Sequence, residues 1–499
     1  MRDAEHTKFI FMEVIKMKKV LSVLSAVALL ASMTACGSSS EGSEAPAESS
    51  KAESSAAESS STEESSEAES KEDSGDSAGK TTLNIWSFTE EVPGMVQKYI
   101  DTHPDFAAKY TIETTVIPTT DRNYQPALDQ ALAAGGKEAP DLYCAEAAFV
   151  LKYTQGDASQ YACPYKDLGI DVDAGIKDAE IAQYAVDIGT NSSGDVVGLG
   201  YQATGGAFIY RRSIAKDAFG DDSPEAVSEA IGGGSNSWDK FFEAAETLKG
   251  KGYGIVSGDG DIWHAVENSS DKGWIVDGNL TIDPKREAFL DLSKQLKDND
   301  YHNDTQDWQE GWFADMKGEG SKGILGFFGP AWLINYTLAP NCGGEKVGEG
   351  TYGDWGVCEP PIGFFWGGTW LLANKDSEHK DALGEIINWI TLDASEDGLQ
   401  YQWANGTYGD SGTKDAVASA AVMAKSDGTL DFLGGQNMFD IFEKANAFAN
   451  GKNLTQYDEA INGLWRDQVR QYTAGAKDRD AAIEDFKMNV ADTLDVNVD

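Results

Sequence analysis

A chain of 499 residues in which 83 acidic side chains face 40 basic ones carries a formal charge of −43, and this excludes a phosphate-backbone binder, which needs clustered Lys and Arg. No nucleic-acid partner is expected. A hydrophobic content of 41% over that length suffices for two or three cored domains.

Lys18 and Lys19 precede an apolar run from Val20 to Leu30, the length of a signal-peptide core and too short to span a bilayer. Residues 1–35 are therefore expected to direct export, with the mixed-charge residues 1–16 reading as an upstream extension before a start at Met17. Ser32-Met33-Thr34-Ala35-Cys36-Gly37 resembles the bacterial lipoprotein box. The resemblance implies lipidation of Cys36, a membrane link through that lipid alone, and a place on the extracellular face of the bacterial cytoplasmic membrane. From Gly37 to Lys80 the chain is nearly all Ser, Glu, Ala and Gly, too poor in apolar residues to form a core. Residues 36–80 thus read as a lipidated acidic tether reaching roughly 35 Å.

Thr82–Trp86, Tyr110–Ile117 and Asp141–Cys144 have strand patterning, and between them Pro93 and Pro126 open helical patterns, the second closing at Gly135-Gly136. This βαβαβ order predicts an α/β unit with a mostly parallel sheet whose ligand lies beyond the carboxyl ends of the strands. Those ends carry Trp86, Glu90 and Glu146. Val196–Leu199 and Ala207–Tyr210 are two more apolar runs, separated by Tyr201-Gln202-Ala203-Thr204 and the pair Gly205-Gly206. This stretch is either a hairpin within one domain or a crossing between two, with the glycines supplying backbone freedom.

Beyond it, Ser237 caps an amphipathic helix, Tyr253–Val256 reads as a strand, and the polar loop after it ends at Trp263-His264. Helices are expected over Pro284–Leu296 and Asp307–Met316, and a strand, turn and helix over Lys322–Trp332. Trp355–Pro361 is a strand closed by prolines, and Phe364–Ala373, carrying Trp366, crosses back. The chain ends in helical patterns at Ala382–Ile390, Met438–Ala449, Tyr457–Tyr472 and Asp478–Leu494.

Cys144, Cys163, Cys342 and Cys358 permit three disulfide connectivities outside the cytoplasm. Cys342 and Cys358 flank a Gly-rich segment and are the favoured pair, whereas Cys144 reads as a small buried hydrophobe. Neither cysteine spacing nor the Asp171-Val172-Asp173 and Asp259-Gly260-Asp261 strings fit a metal site. Gly318–Gly323 matches a nucleotide-loop pattern but runs from helix to strand, the wrong order. No metal or cofactor is expected.

Pro140-Asp141-Leu142-Tyr143, Tyr201 with Ile209-Tyr210, Ser237-Trp238-Asp239, Gly329-Pro330-Ala331-Trp332 and Gly367-Gly368 before Ala373-Asn374-Lys375 occur in an order and spacing that resemble the family 1 extracellular solute-binding proteins, the group that includes maltodextrin-binding protein. Arg211, where the family has Asn, and the inserted Ala331 depart from its pattern. The resemblance implies a two-lobed periplasmic-binding-protein type II fold, each lobe a mostly parallel sheet flanked by helices, with a ligand cleft between the lobes. The expected lobes are 81–201 and 202–358, with 359–395 returning to the first and 396–499 forming helices that pack mainly on the second.

The resemblance further implies a monomer that binds a carbohydrate, of oligosaccharide size, and delivers it to the permease of an ABC transporter by closing over it. Aromatic rings suit the apolar faces of a pyranose and directed polar groups suit its rim. On those grounds Trp86, Glu90, Glu146, Tyr201, Gln202, Thr204, Trp263, Trp332 and Trp366 are the candidate ligand contacts, and no catalytic residue is assigned. Two other readings stand beside this one. An extracellular glycoside hydrolase needs only a carboxylate pair, although the chain lacks a run of β/α barrel units. A polyamine or other small solute on the same fold would call for a more acidic cleft.

Overall fold

The computed structural model describes residues 79–119 and 123–498; the export segment, Cys36 and nearly all of the tether lie outside the described residues. Two sheets are built from β1 (Thr81–Ser87), β2 (Tyr110–Val116), β3 (Leu142–Glu146), β4 (Leu199–Gly200), β5 (Ala207–Arg211), β6 (Gly326–Gly329), β7 (Trp355–Cys358) and β8 (Thr369–Ala373). The first sheet has the order β2-β1-β3-β8-β4, with β1 parallel to β2 and β3 and β8 antiparallel to β3 and β4. The second has the order β6-β5-β7, and β5 runs against both neighbours. A mostly parallel second sheet was expected; the antiparallel centre follows from where β5 begins. A strand that enters a lobe from the crossing must run away from the cleft, whereas strands fed by outer helices run towards it.

Both faces of the second sheet are covered, which explains the unbroken apolar run in β5. Phe208 and Tyr210 point into one cluster, with Phe328, Trp263 and Trp465. Ala207 and Ile209 point into another, with Phe327, Trp355 and Val357. The first sheet has its own core around Leu83, Ile85, Tyr143, Leu199 and Leu371.

The helices that matter for the site are α1 (Glu91–Thr102), α2 (Tyr124–Ala134), α3 (Asp239–Lys249), α4 (Gly260–Asn268), α5 (Glu310–Lys317), α6 (Lys380–Thr391), α7 (Phe439–Phe448), α8 (Asp458–Thr473) and α9 (Arg479–Thr493). Helix α6 packs on the first core, while α8 and α9 cover the second-lobe cluster through Ile461, Trp465, Phe486 and Val490. Ser237 acts one residue earlier than expected: its hydroxyl accepts from Asp239 N at 3.1 Å, and Trp238 holds the cap position of α3. Tyr253–Val256 forms only isolated parallel bridges, Gly254 with Ile324 and Val256 with His302. The expected helix from Pro284 is broken at Ala288 into Pro284–Glu287 and Phe289–Asp298.

Cys144, Cys163, Cys342 and Cys358 are all free and buried, so the favoured Cys342–Cys358 bridge does not form. The two lie on different sides of the second sheet, Cys342 in the cluster of Trp355 and Val357 and Cys358 in that of Phe208. Burial pushes the Cys144 thiol up to about 12, which leaves it inert.

Candidate functional site

The chain between the two sheets is a braid. Gly206 N donates to Phe364 O at 2.8 Å and Trp366 N to Thr204 O at 3.0 Å, while Ala418 N donates to Tyr201 O at 2.9 Å and Ala203 N to Ala416 O at 3.2 Å. Three segments thus pair where the lobes join. Gly205 and Gly206 have no left-handed backbone; what they supply is space. A Cβ on Gly206 would stand 2.0 Å from Phe364 Cζ, and one on Gly205 would stand 2.6 Å from the backbone of Ala445 and Asn446. The reading of these glycines as freely rotating hinge points is therefore replaced by one of close approach.

At the mouth of the braid four aromatic side chains gather. Trp332 and Trp366 meet at 4.9 Å with rings inclined by 67°, and Trp332 Nε1 donates to Trp366 O at 3.0 Å. Trp308 lies parallel to Trp332 at 6.3 Å and edge-on to Trp366 at 6.0 Å. His264, from α4, stacks on Trp366 at 4.4 Å. Trp308 is 43% exposed and Tyr336, edge-on to Trp332, is 66% exposed, so the cluster presents apolar rings to solvent. Trp308 also has φ of 65°, a conformation that an aromatic residue adopts only when its surroundings impose it. The neighbouring residue, Asp307, accepts from Arg466 at 2.5 and 3.2 Å. The Arg466 guanidinium outweighs burial and holds the Asp307 carboxyl below its usual range. Gly260, at the start of α4, leaves room for that pair, since a Cβ there would lie 2.4 Å from Asp307 Oδ1.

A cavity of about 110 Å³ adjoins the cluster. Glu146, Ala147 and Ala148 line it from the end of β3, His264, Glu267 and Asn268 from α4, Phe365, Trp366 and Gly367 from the braid, and Asp458, Glu459 and Asn462 from α8. Residues supported by the first sheet thus face residues supported by the second. Gln125 Nε2 of α2 donates to Glu459 Oε2 at 2.7 Å, and Asp157 N to Gln456 Oε1 at 3.0 Å, which links the start of α8 to the first-sheet side. Glu146 Oε2 accepts from Ala148 N at 2.8 Å. Burial pushes its carboxyl up to about 7, against the Ala148 and Ala147 amides and with help from the charges of Glu459 and Glu267. Glu267, in contrast, is held low despite burial, by His264, Arg286 and the amide of Asn462. Other cavities, along Glu359, Pro360 and Lys444 and along Glu225 and Asp440, lack this aromatic wall.

The structure brings Glu146, Trp332 and Trp366 together and separates the other candidates. Trp86 is half-buried in β1, its Nε1 buried without a partner, and Glu90 is exposed just before α1. Gln202 is half-buried and donates to Glu91 Oε1 at 3.4 Å. Tyr201 is fully buried, edge-on to Trp403 at 5.9 Å. Thr204 is fully buried and bonded to Tyr184 Oη at 2.8 Å. Trp263 belongs to a helix rather than a loop, is 1% exposed and packs on Phe289 at 4.8 Å. Tyr201, Thr204 and Trp263 therefore act as core and braid residues in this structure. The reading missed Trp308, Tyr336, His264 and Asp458. Helical spacing of residues 260–268 would have placed His264 and Asn268 on a face apart from Ile262, Ala265 and Val266. Arg211, the departure from the family pattern, bonds Asp354 at 2.8 Å and lies over the Trp355 ring at 5.4 Å.

A family model for bacterial extracellular solute-binding proteins matches residues 86–397, and the chain belongs to that family. A comparison with curated proteins finds no significant match. Among solved structures, an extracellular solute-binding protein of family 1 superposes with a TM-score of 0.65 at 18% identity, covering 82% of this chain and 98% of its own. The galacto-N-biose/lacto-N-biose I-binding protein of the Bifidobacterium longum ABC transporter superposes with a TM-score of 0.62 at 18% identity, over 85% and 100% of the two chains. The sugar-binding protein MalE of Xanthomonas citri gives 0.59 at 15% identity, over 83% and 97%. The fold is thus the two-lobed solute-binding fold. Among the described residues no helix is long and apolar enough to cross a membrane.

Proposed function

We propose that this protein binds an extracellular saccharide in the cleft between its lobes and presents it to the permease of an ABC transporter. The observation that carries the reading is the solvent-facing cluster of Trp308, Trp332 and Trp366 beside a polar cavity lined from both sheets. Flat rings match the C–H faces of a pyranose, and the carboxylates and amides beyond them match its hydroxyl rim. The B. longum neighbour, solved with lacto-N-biose, supports a sugar over other solutes.

In this reading the lobes are 81–201 and 202–358, residues 359–395 return to the first, and the C-terminal helices α8 and α9 belong to the second. Ligand contacts to both sides favour the closed arrangement, because a ligand shifts an equilibrium only through its different affinities for the two states. No bond in the ligand is broken. The protein acts as a monomer, held at the extracellular face of the membrane by a lipid on Cys36 and the acidic tether. Isothermal titration of the purified protein against a glycan panel tests the reading: micromolar binding of at least one saccharide, weakened by Trp366→Ala, is expected. Heat from spermidine or a peptide with none from any saccharide refutes it, and release of shorter sugars from the panel would restore the hydrolase alternative.

A further inference from the structure

Between the end of α7 at Phe448 and the start of α8 at Asp458, residues 449–457 form a strap that touches both sides of the molecule. On the first-sheet side Leu454 packs on the core of that sheet, and Gln456 Oε1 accepts from Asp157 N at 3.0 Å. A Cβ on Gly451 would stand 2.7 Å from Ile188 Cγ1 of the same core. On the other side Tyr457 packs on the second-sheet core, and Asn453 Nδ2 donates to Ser270 O at 3.0 Å. The Asn453 carbonyl passes so near Gly273 that a Cβ there would lie 2.3 Å from its oxygen. Both anchors are close-packed, so the strap is a fixed wall in this structure.

Leu454 and Thr455 of the strap line the cavity that Trp366 also lines. At about 110 Å³, this cavity is well below the about 300–1,000 Å³ of a site that encloses a whole ligand. It has room for the end of a chain and none for a chain that passes through.

Away from the strap the site is open. From Trp366 the rings run outward, Trp332 at 4.9 Å and Tyr336 a further 6.4 Å on, with Trp308 beside Trp332 at 6.3 Å. None of these three lines the cavity. Trp366 and Trp332 are half-buried, whereas Trp308 is 43% and Tyr336 66% exposed. Tyr336 sits in a π-turn over Ile334–Leu338, and Pro340, four residues on, has no N–H to give the Tyr336 carbonyl. Such turns recur at functional sites. The row of rings is therefore asymmetric, walled at one end and bare to solvent at the other.

Resting on the saccharide reading above, we propose that the ligand is a linear saccharide held by one terminus. Its terminal unit seats in the cavity against the strap, and the units behind it lie along Trp366, Trp332 and Tyr336 and emerge into solvent. The test titrates the full purified chain with maltotetraose, cellotetraose, β-1,4-mannotetraose and β-1,4-galactotetraose. Each is used free, capped at the non-reducing end as the 4,6-isopropylidene acetal, and capped at the reducing end as the tert-butyl glycoside. One cap is expected to weaken binding about 30-fold or more, as a group forced against a packed wall, and the other less than threefold. Leu454→Ala combined with Gln456→Ala thins the strap and should cut the penalty of the rejected cap to fivefold or less, with circular dichroism confirming the fold. If that variant does not fold, the capped sugars on the parent protein decide. Equal tolerance of both caps, or equal rejection of both, overturns the end-on assignment and leaves the saccharide reading standing. An unaltered penalty in the folded variant overturns the role of the strap. Heat from spermidine with none from any sugar overturns both readings.

Discussion

Asp415 offers a sharp test of how the braid is held. It is 6% exposed, its Oδ1 accepts from Ala416 N at 2.8 Å, and the adjoining Ala416 carbonyl bonds Ala203 of the crossing. Burial, reinforced by the charge of Glu91, pushes its carboxyl from 3.8 up to about 8. The folded pKa is raised, so the associated stability is fully present below about pH 3.8 and is lost progressively as pH rises to about 8. At about 1.4 kcal/mol per pH unit, the full displacement sets a ceiling of about 5–6 kcal/mol, and relaxation of the site should leave about half. Asp415→Asn keeps an oxygen for Ala416 N and removes the titrating group. The variant should therefore match the parent near pH 4 and exceed it by about 3 kcal/mol at pH 8. For a folded region of this size that is about 3 °C in Tm. Calorimetry of both proteins from pH 4 to pH 8 reads the effect. A variant less stable than the parent at pH 8, or an offset that does not change with pH, refutes the buried-acid argument.

Trp308→Ala removes an exposed ring from the cleft and should weaken saccharide binding about 30-fold, a typical loss for a central aromatic contact of about 2 kcal/mol, with little change in Tm. Trp263→Ala should do the reverse, costing about 3–5 kcal/mol of stability as a buried ring is lost; titration paired with melting curves separates the two. The thiols of Cys144, Cys163, Cys342 and Cys358 should resist alkylation in the native protein and react once it is denatured without reductant. A disulfide-linked peptide in the mass spectrum contradicts this. Gly206→Ala forces a methyl group into the Phe364 ring and should cost about 1–3 kcal/mol as overpacking. Adding Phe364→Leu should return part of that stability, whereas no recovery counts against the close-packing role.

Much of the architecture was legible because both of its periodicities are strong. The βαβαβ order of the first sheet and the terminal helices, with boundaries at Lys380–Thr391 and Arg479–Thr493, follow from apolar spacing and Gly or Asn punctuation. The second lobe was harder to read. Its strands are short, and Tyr253–Val256 contributes only single bridges, which an apolar run alone does not distinguish from a ladder. For the site, strand ends pointed to Glu146, Trp332 and Trp366. Asp458 was illegible because its sequence context is an ordinary helix start; only the packing of the start of α8 against the C-terminal end of α4 turns it into a cavity wall. Trp308 was hidden for another reason. Its place beside Trp332 and Trp366 comes from segments that only tertiary structure brings together.

The direction of the strands explains why the cleft is furnished as it is. In this fold β3, β4, β6 and β7 run towards the junction of the lobes, and β5 and β8 leave it, as their antiparallel pairings record. Residues just after an arriving strand or just before a departing one therefore fall at the cleft: Glu146 ends β3, Trp332 follows β6, and Trp366 and Gly367 precede β8. Ala147 N even bonds Gly368 O at 3.2 Å, tying an arrival to a departure. Tyr201 and Thr204 satisfy the same positional rule, yet both are buried, because the crossing that carries them is sandwiched between the segments of Ala416–Ala418 and Phe364–Trp366. Position along the chain selects the set of residues near the cleft. Which members of that set stay exposed is decided by the neighbours each packs on or bonds, and in the braid these include the Tyr184 hydroxyl for Thr204 and the Trp403 ring for Tyr201.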